Sequence, residues 1–183
     1  TKATLLTTKN YSVGGMPSRI GQDAYDWSPD GKTIVFSHTR TPRPDDWWTA
    51  NLSLVDLASG TVRPFVQSKA AETMPLYSPD GQTIAFTVSD IPPTWAGART
   101  VQIAPAAGGT AKKLADTVDG FGRYSELVGW SADGKKLFFT ELQGTNFRLL
   151  AMPLEGSPTP INRGEGMSLG GVSLNANRTH FGF

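Results

Sequence analysis

The sequence predicts an all-β protein, a partial β-propeller of about three and a half four-stranded antiparallel blades, and three observations support this fold class. First, a stretch in which an aromatic residue leads through Ser-Pro-Asp-Gly into an apolar strand occurs at 27–36 and 77–86, and it recurs with alanine in place of proline at 130–139 and in degenerate form at 175–183. Second, the copies are spaced by about 50, 53 and 44 residues, in the range of propeller repeats. Third, 20 Gly and 13 Pro favour turns and short strands over helices.

The repeated stretch predicts how each blade begins. In the first copy, Pro29 fixes φ at a turn position, and the Asp-Gly pair behind it completes a tight turn between two strands. The strand that follows is rich in β-branched and aromatic residues. Because the aromatic position before the turn recurs in every complete copy, we expect Trp27, Tyr77 and Trp130 to be core residues.

Four strands are predicted in each complete blade, lettered A to D from the propeller axis outwards. Blade 1 (22–67) follows an outer strand of a preceding blade (1–9), predicted at 4–8, and its strand C points Leu52, Leu54 and Val55 inward. The predicted strands are 23–27, 33–37, 51–57 and 62–66 in blade 1; 73–77, 83–88, 100–104 and 112–115 in blade 2 (72–116); 126–130, 136–141, 147–154 and 159–162 in blade 3 (125–163); and 171–174 and 179–183 in a half blade (170–183).

The order of strands divides the connections between two faces. Tight turns fall on one face, and most long loops fall on the other, at 9–22, 38–50, 89–99 and 115–125. Since loops presented by a rigid scaffold tend to carry function, the long-loop face is the expected working face. Closed propellers typically have four to eight blades, so we expect a fragment of a longer propeller whose open strand edges favour self-association.

Composition narrows the classes of partner. A formal net charge of +1 gives no electrostatic signature for nucleic acid or an anionic membrane, and no apolar run is long enough to span a bilayer. The absence of cysteine excludes disulfides and thiolate metal sites, and leaves bacterial periplasm and cytoplasm both open. Local hydrogen bonding explains the Asp of each turn, and copies on different blades lie too far apart to share a cation. We therefore expect no metal, no cofactor, no nucleic acid and no membrane as partner.

The phased Ser-Pro-Asp-Gly repeat lacks the Gly-His and Trp-Asp pairs of WD40 blades and resembles the PD40, or TolB-like, class of propeller repeats. The stretches 38–60, 91–97 and 172–181 are similar to the N-terminal propeller of S9 (prolyl oligopeptidase family) serine peptidases, nearest the dipeptidyl- and acylaminoacyl-peptidase branches. The resemblance covers the whole chain. It implies a C-terminal α/β-hydrolase domain with a Ser-Asp-His triad, and a propeller that covers the active site, admits small peptides and helps to hold a substrate terminus.

On this resemblance, the expected function is that of a propeller-domain fragment that gates and orients peptide substrates for a hydrolase domain absent from this chain. The implied partners are that hydrolase domain of the same parent chain and the peptide substrate. The fragment alone is expected to catalyse nothing, while its parent is expected to be a serine peptidase. The alternative is a TolB-like, non-enzymatic propeller that binds other proteins.

The candidate peptide contacts are arginines and tryptophans of two long loops: Arg40, Arg43, Trp47, Trp48, Trp95 and Arg99. Arginine offers bidentate bonding to a carboxylate, and tryptophan offers apolar area with a polar edge. A second interpretation suits the same residues. In it, the tryptophans pack between blades or against another domain, and the arginines form surface ion pairs with aspartates.

No catalytic residue is assigned. Residues 166–170 read Gly-Met-Ser-Leu-Gly and fit G-x-S-x-G, but a nucleophile elbow needs a buried strand before the serine and a helix after it. Here Asn-Arg-Gly-Glu precedes the motif and a predicted strand follows it, so a chance match in a Gly-rich loop is the better interpretation. His38 and His180 have no motif that pairs either of them with Ser168.

Overall fold

The computed structural model describes residues 5–7, 11–13, 24–122, 124–161, 169 and 171–183. Within these ranges no helix has the length and apolar character needed to cross a bilayer. The strands are β1 (Ser12–Val13), β2 (Tyr25–Trp27), β3 (Thr33–Thr39), β4 (Asn51–Asp56), β5 (Val62–Val66), β6 (Glu72–Tyr77), β7 (Thr83–Ser89), β8 (Arg99–Pro105), β9 (Lys112–Lys113), β10 (Glu126–Trp130), β11 (Lys136–Gln143), β12 (Asn146–Pro153), β13 (Thr159–Pro160), β14 (Ser173–Leu174) and β15 (Phe181–Gly182).

Three antiparallel sheets follow one another along the chain, and within each sheet consecutive strands are hydrogen-bonded neighbours. Blade 1 comprises β2 to β5, blade 2 comprises β6 to β9, and blade 3 comprises β10 to β13. Strands β14 and β15 pair with each other as the half blade. The predicted fold class, a partial β-propeller, is confirmed, and the blade strands begin and end within two residues of their predicted bounds.

The N-terminal region differs from its prediction. Of the strand predicted at 4–8, the structure describes residues 5–7, and these lie outside any strand. The connection predicted at 9–22 contains β1, which pairs with the last two residues of β3. Strand β3 extends two residues beyond its predicted end. Strand β2 does not pair with these two residues, and β1 pairs with them instead.

The loop predicted at 38–50 is also more ordered than expected. Its first two residues belong to β3, and a 3₁₀ helix occupies Pro44–Thr49. A proline at the first helical position carries no N–H that needs a partner, and its fixed φ suits a helical turn. The connection between β3 and β4 therefore contains a short helix.

Each blade buries side chains on both faces of its sheet. In β4, Leu52 and Leu54 pack against blade 2, as predicted, whereas Val55 is buried on the opposite face. Strand β3 divides in the same way, with Val35 toward blade 2 and Ile34 on the other side. Because successive residues face different neighbours, four consecutive residues are buried in the middle of each strand, at 34–37 and 52–55.

In blades 2 and 3, the aromatic residue before the tight turn joins its blade to the preceding one. The hydroxyls of Tyr77 and Thr33 lie 2.9 Å apart, and the indole N–H of Trp130 donates to the Leu76 carbonyl at 3.1 Å. Tyr77 is 3% exposed and Trp130 is 1% exposed, which confirms them as core residues. Trp27 is 50% exposed, so the prediction is wrong at this copy, because no described blade covers its side of blade 1.

The three tight turns share one hydrogen-bond pattern. In each, the aspartate accepts a bond from the serine hydroxyl two residues before it, at 2.7, 2.5 and 2.6 Å for Asp30, Asp80 and Asp133. Each carboxylate also accepts the backbone N–H two residues further on, and the serine bond is the largest cause that holds its pKa below the usual value. The aspartates are thus engaged within their own turns.

Candidate functional site

Three long loops meet on one face of the propeller. Trp47, in the loop between β3 and β4, packs edge to face against Trp95, in the loop between β7 and β8, with ring centroids 5.6 Å apart. The backbone N–H of Arg99 donates to the Gly120 carbonyl at 2.8 Å, which links the second loop to the connection before β10. Edge-to-face aromatic pairs contribute about 0.5–1.5 kcal/mol beyond the area they bury. Blades 1 and 2 therefore share one continuous loop surface.

A buried carboxylate organises the first loop. Asp46 is 7% exposed and accepts hydrogen bonds from the Arg40 guanidinium, at 2.6 Å, and from the Thr41 hydroxyl. The Thr41 bond and then the Arg40 bond hold the pKa of Asp46 below its usual value. The Arg40 guanidinium also lies 5.6 Å from the ring centroid of Trp48, within cation–π range. Arg40 is thereby engaged within its own loop.

The sequence analysis did not identify the role of Asp46, although a signal for it exists. Pro44 followed by two aspartates is typical of a helix start, where acidic residues complement the exposed backbone N–H groups. The helix closes on Thr49, whose hydroxyl donates to the Asp46 carbonyl at 2.6 Å and accepts the Arg40 N–H at 2.9 Å. These hydrogen bonds hold the segment that carries Trp47 and Trp48, which lie between Asp46 and Thr49.

An aspartate also fixes the second loop. Asp90 accepts the backbone N–H of Thr94 at 2.8 Å and its hydroxyl at 2.5 Å. The side-chain bond from Thr94 is the largest cause that lowers the pKa of Asp90, and the positive charge of Arg99 adds to it. The closed turn places Trp95 directly after Thr94, facing the first loop.

Among the predicted peptide contacts, the structure brings Trp47 of the first loop against Trp95 of the second loop, and Arg40 against Trp48 within the first loop. The arrangement includes the Arg–Asp pair and the tryptophan contact between blades that the packing interpretation describes. It also leaves Trp48 and Trp95 each 47% exposed. Arg43 is exposed, and its guanidinium forms no hydrogen bond or ion pair with any described residue. Arg43 lies in the same loop as Trp48, and its charge helps to lower the pKa of Asp46. Exposed indole rings and a guanidinium in the same loops can contact an apolar side chain and a carboxylate.

A buried glutamate supports the third loop. Glu141, near the C-terminal end of β11 in blade 3, is fully buried. Its Oε1 accepts the backbone N–H groups of Asp119 and Phe121, at 3.1 and 3.3 Å, and its Oε2 accepts the Gln143 amide at 2.9 Å. All three donors complement a carboxylate, so Glu141 is satisfied despite its burial.

A second buried glutamate lies under the first loop. Glu72 is fully buried at the start of β6, and its backbone N–H donates to the Ala50 carbonyl at 3.0 Å. Neither carboxyl oxygen of Glu72 has a hydrogen-bond partner in good geometry, although Ser68 and the Leu52 backbone lie close enough to act on its pKa. Burial raises its pKa, an effect that the nearby Ser68 and the Leu52 backbone only partly offset. The hydrophobic repeat pattern gave no indication of a buried carboxyl at this position.

The described residues assemble no catalytic or metal site. The His38 ring lies 2.9 Å from the Ser53 hydroxyl, and burial lowers its pKa. His180 lies on the half blade, with its ring 2.9 Å from the Thr179 hydroxyl. Ser168 and the other residues of the G-x-S-x-G match, except Leu169, lie outside the described residues. In the described part of the chain, no group of three His, Cys, Asp or Glu side chains could hold a metal ion.

Replacing Asp46 with alanine is expected to loosen the first loop. The change removes the acceptor shared by Arg40 and Thr41, so amides of residues 40–50 should exchange with deuterium faster than in the unaltered chain. Since the Asp46 pKa is lowered in the folded state, the same loosening should follow in the unaltered chain as pH falls through that pKa. Asp45→Ala, at an exposed neighbouring carboxylate, is the control and should leave exchange unchanged. Equal exchange in both variants would contradict the anchoring role.

No protein-family model matches the chain. An uncharacterized peptidase of Bacillus subtilis is 29% identical over 114 residues, which cover 62% of this chain and 16% of that protein. Dipeptidyl-peptidase 5 of Trichophyton schoenleinii is 25% identical over 162 residues, covering 82% of this chain and 22% of that protein. The chain thus spans about a fifth of the length of these relatives.

Solved structures show the same fold. TolB from Acinetobacter baumannii superposes with a TM-score of 0.66 at 22% identity, over 86% of this chain and 36% of that one. The chain is a β-propeller segment whose sequence is similar to part of proteins named as peptidases. The resemblance to propellers of the dipeptidyl-peptidase branch is confirmed.

Proposed function

We propose that this chain is part of the propeller of a serine peptidase and that its long-loop face gates and orients peptides for a hydrolase domain of the same parent protein. The observation that carries the proposal is the contact between Trp47 and Trp95, which joins two loops that also present Trp48 and Arg43, in a chain similar to a dipeptidyl-peptidase over 82% of its length. Acyl transfer would take place on the hydrolase domain. This face would contribute apolar area and a cation for one end of the peptide.

The roles of the candidate residues differ in this proposal. Trp48 and Trp95 contact the peptide through their exposed ring surfaces, while Trp47 joins the two loops. Arg43 pairs with a peptide carboxylate. Arg40 is paired with Asp46 and acts by fixing Trp48. Arg99 holds the start of strand C beside the third loop, through its backbone bond to Gly120.

Peptide binding to the isolated chain tests this proposal. The probes are the tripeptide Ala-Pro-Ala and its C-terminally amidated form, titrated calorimetrically. Trp48→Ala should weaken binding of both, and Arg43→Ala should weaken binding of the free acid about tenfold while leaving the amide unchanged, because a charge-assisted bond is lost. Trp27→Ala removes an equally exposed indole from another surface and serves as the control. Loss of binding in that variant, or no binding by the unaltered chain, would refute the assignment.

A TolB-like interaction propeller is the second candidate, favoured by the TM-score of 0.66 to TolB. In that case the same loops would bind the surface of a folded protein rather than the end of a peptide. The free acid and the amide would then bind equally poorly, and Arg43→Ala would not distinguish between them. The titration therefore separates the two functions.

A further inference from the structure

A cleft of about 250 Å³, which we name the inner cleft, lies where the first strands of the three blades meet the half blade. Asp26 of β2 lines it from blade 1, and Arg178, in the turn between β14 and β15, lines it from the half blade. The wall between them includes Leu76, Gly129 and Leu174. The inner cleft lies beside the tight turns, and it is therefore separate from the long-loop surface.

Arg178 occupies the glycine position of the repeated turn. Its backbone N–H donates to the Asn175 carbonyl at 2.9 Å, as the Gly134 N–H donates to the Ser131 carbonyl at 3.0 Å. Its φ of 58° lies in the left-handed region, like the 67° of Gly134. An arginine in this conformation is strained, because its Cβ crowds the backbone where glycine has no side chain. Strain that a fold retains at one position points to a use for the side chain there.

The Arg178 guanidinium reaches from this turn back into the inner cleft. Its Nη1 donates to the Trp130 carbonyl at 3.3 Å, and it would lie 3.8 Å from a Cβ at Gly129. A guanidinium carries five N–H donors. Among the residues that the structure describes, the Trp130 carbonyl is the one acceptor that it meets. Most of its donors therefore remain available to a ligand.

Asp26 presents the opposite charge to the same cleft. Its two carboxyl oxygens accept one backbone N–H each, from Trp27 at 2.9 Å and from Tyr77 at 2.7 Å. These bonds fix the carboxylate and leave acceptor capacity on both oxygens. Burial raises the pKa of Asp26, and the two N–H bonds and then the positive charge of Arg178 oppose that rise. Asp26 thus lies within electrostatic reach of Arg178, although the two side chains form no direct ion pair.

Opposite charges that face one cleft without pairing suit a ligand that carries both charges. A free amino acid has an ammonium group for Asp26 and a carboxylate that a guanidinium can bind through two N–H groups. The cleft is smaller than the roughly 300–1,000 Å³ of sites for drug-sized ligands, so its occupant is a small molecule. Leu76 and Leu174 offer contact to an apolar side chain.

We infer that the inner cleft binds a free α-amino acid with an apolar side chain, its ammonium group on Asp26 and its carboxylate on Arg178. A simple anion would meet the charge of Asp26, and a simple cation would meet that of Arg178. A peptide is a poorer fit, because each of its ends offers one charge alone. The inference does not depend on peptide binding by the long loops, since neither residue belongs to that surface.

Nuclear magnetic resonance titration of the unaltered chain with L-valine at pH 7 tests this inference. The backbone amides of Trp27 and Tyr77 report on the site, because both donate to Asp26. N-acetyl-L-valine and L-valine amide each lack one charge, and each should bind at least about tenfold more weakly than L-valine, because a charge-assisted bond is lost. No shift of these amides with L-valine, or equal binding of all three compounds, would overturn the inference. Binding of N-acetyl-L-valine as tight as that of L-valine would make the site an anion site and overturn it as well.

Substitution of Arg178 separates binding from folding. Arg178→Gly gives the turn the glycine that the other three copies have, so it should keep or raise the urea midpoint while lowering L-valine affinity at least about tenfold. Arg178→Asn, whose new side chain also tolerates the left-handed region, should act in the same way. Lys135→Ala removes an exposed cation beside the corresponding turn of blade 3 and should leave binding unchanged. Unaltered L-valine binding in both Arg178 variants, or a lowered urea midpoint in both, would make Arg178 a structural residue and overturn the inference.

Discussion

Trp130→Ala is expected to lower the free energy of unfolding by about 3–5 kcal/mol, and Trp27→Ala is expected to lower it by about 1 kcal/mol or less. Trp130 is 1% exposed, packs in the core between blades 2 and 3, and donates its indole N–H to Leu76. Truncation therefore creates a cavity and leaves a buried carbonyl without its partner. Trp27 occupies the same repeat position without the covering blade, so its truncation removes mainly surface contacts.

Urea unfolding monitored by far-UV circular dichroism measures both variants. The midpoint should fall sharply for Trp130→Ala, with little change for Trp27→Ala and an unchanged slope in both. Trp130→Phe serves as a further control, since it retains most of the ring volume and should recover part of the loss. Equal destabilisation at positions 27 and 130 would mean that Trp27 is covered in solution, contrary to its exposure in the structure.

The contrast between these tryptophans also shows what the sequence could predict. The repeat assigns the same position to Trp27, Tyr77 and Trp130, and from it the blades, their turns and most strand bounds follow. Burial does not follow from the repeat alone, because each aromatic is covered by the blade before its own. Equal sequence positions at the first blade and at later blades therefore have unequal environments.

The position of the long-loop face could be predicted from the sequence, but the contacts between its loops could not. Strand order alone places the long loops on one face, and their arginines and tryptophans marked them as candidates. The contact between Trp47 and Trp95 joins residues on different blades, and no repeat or local propensity specifies such a contact. The helix start at Pro44 was encoded locally, but the burial of Asp46 depends on how Arg40 and Thr41 fold over it.

The burial of two glutamates could not be predicted from the sequence either. Glu72 and Glu141 both lie near the long-loop face, and both are fully buried. Sequence patterns treat each as a polar residue in a strand. Only the fold shows that Glu141 accepts hydrogen bonds from three donors, and that burial outweighs the nearby Ser68 and Leu52 groups in setting the pKa of Glu72. Their chemistry should differ accordingly, and parallel substitutions can measure the difference.

Glu72→Gln is expected to raise the free energy of unfolding at pH 7 by about 1–3 kcal/mol, because a fully buried carboxyl is costly to ionise. Burial raises the folded-state pKa of Glu72 above its unfolded value. The folded state then binds more protons than the unfolded state between the two pKa values, so stability falls as pH rises through that window. Below the unfolded pKa both states are protonated, and the gain from the substitution should shrink toward zero by about pH 3.

Glu141→Gln is the matched control, and it should act in the opposite direction at pH 7. The amide group that replaces one oxygen would face either the Gln143 amide or the two backbone N–H groups, and so oppose a donor with a donor. A loss of about 1–3 kcal/mol is expected from the broken bond and the unpaired groups. Urea titrations at pH 3 and pH 7 measure both variants. If Glu72→Gln destabilised the protein at pH 7 as Glu141→Gln does, the Glu72 carboxylate would have to be paired in solution, and the fold would contain a partner for it between blades 1 and 2.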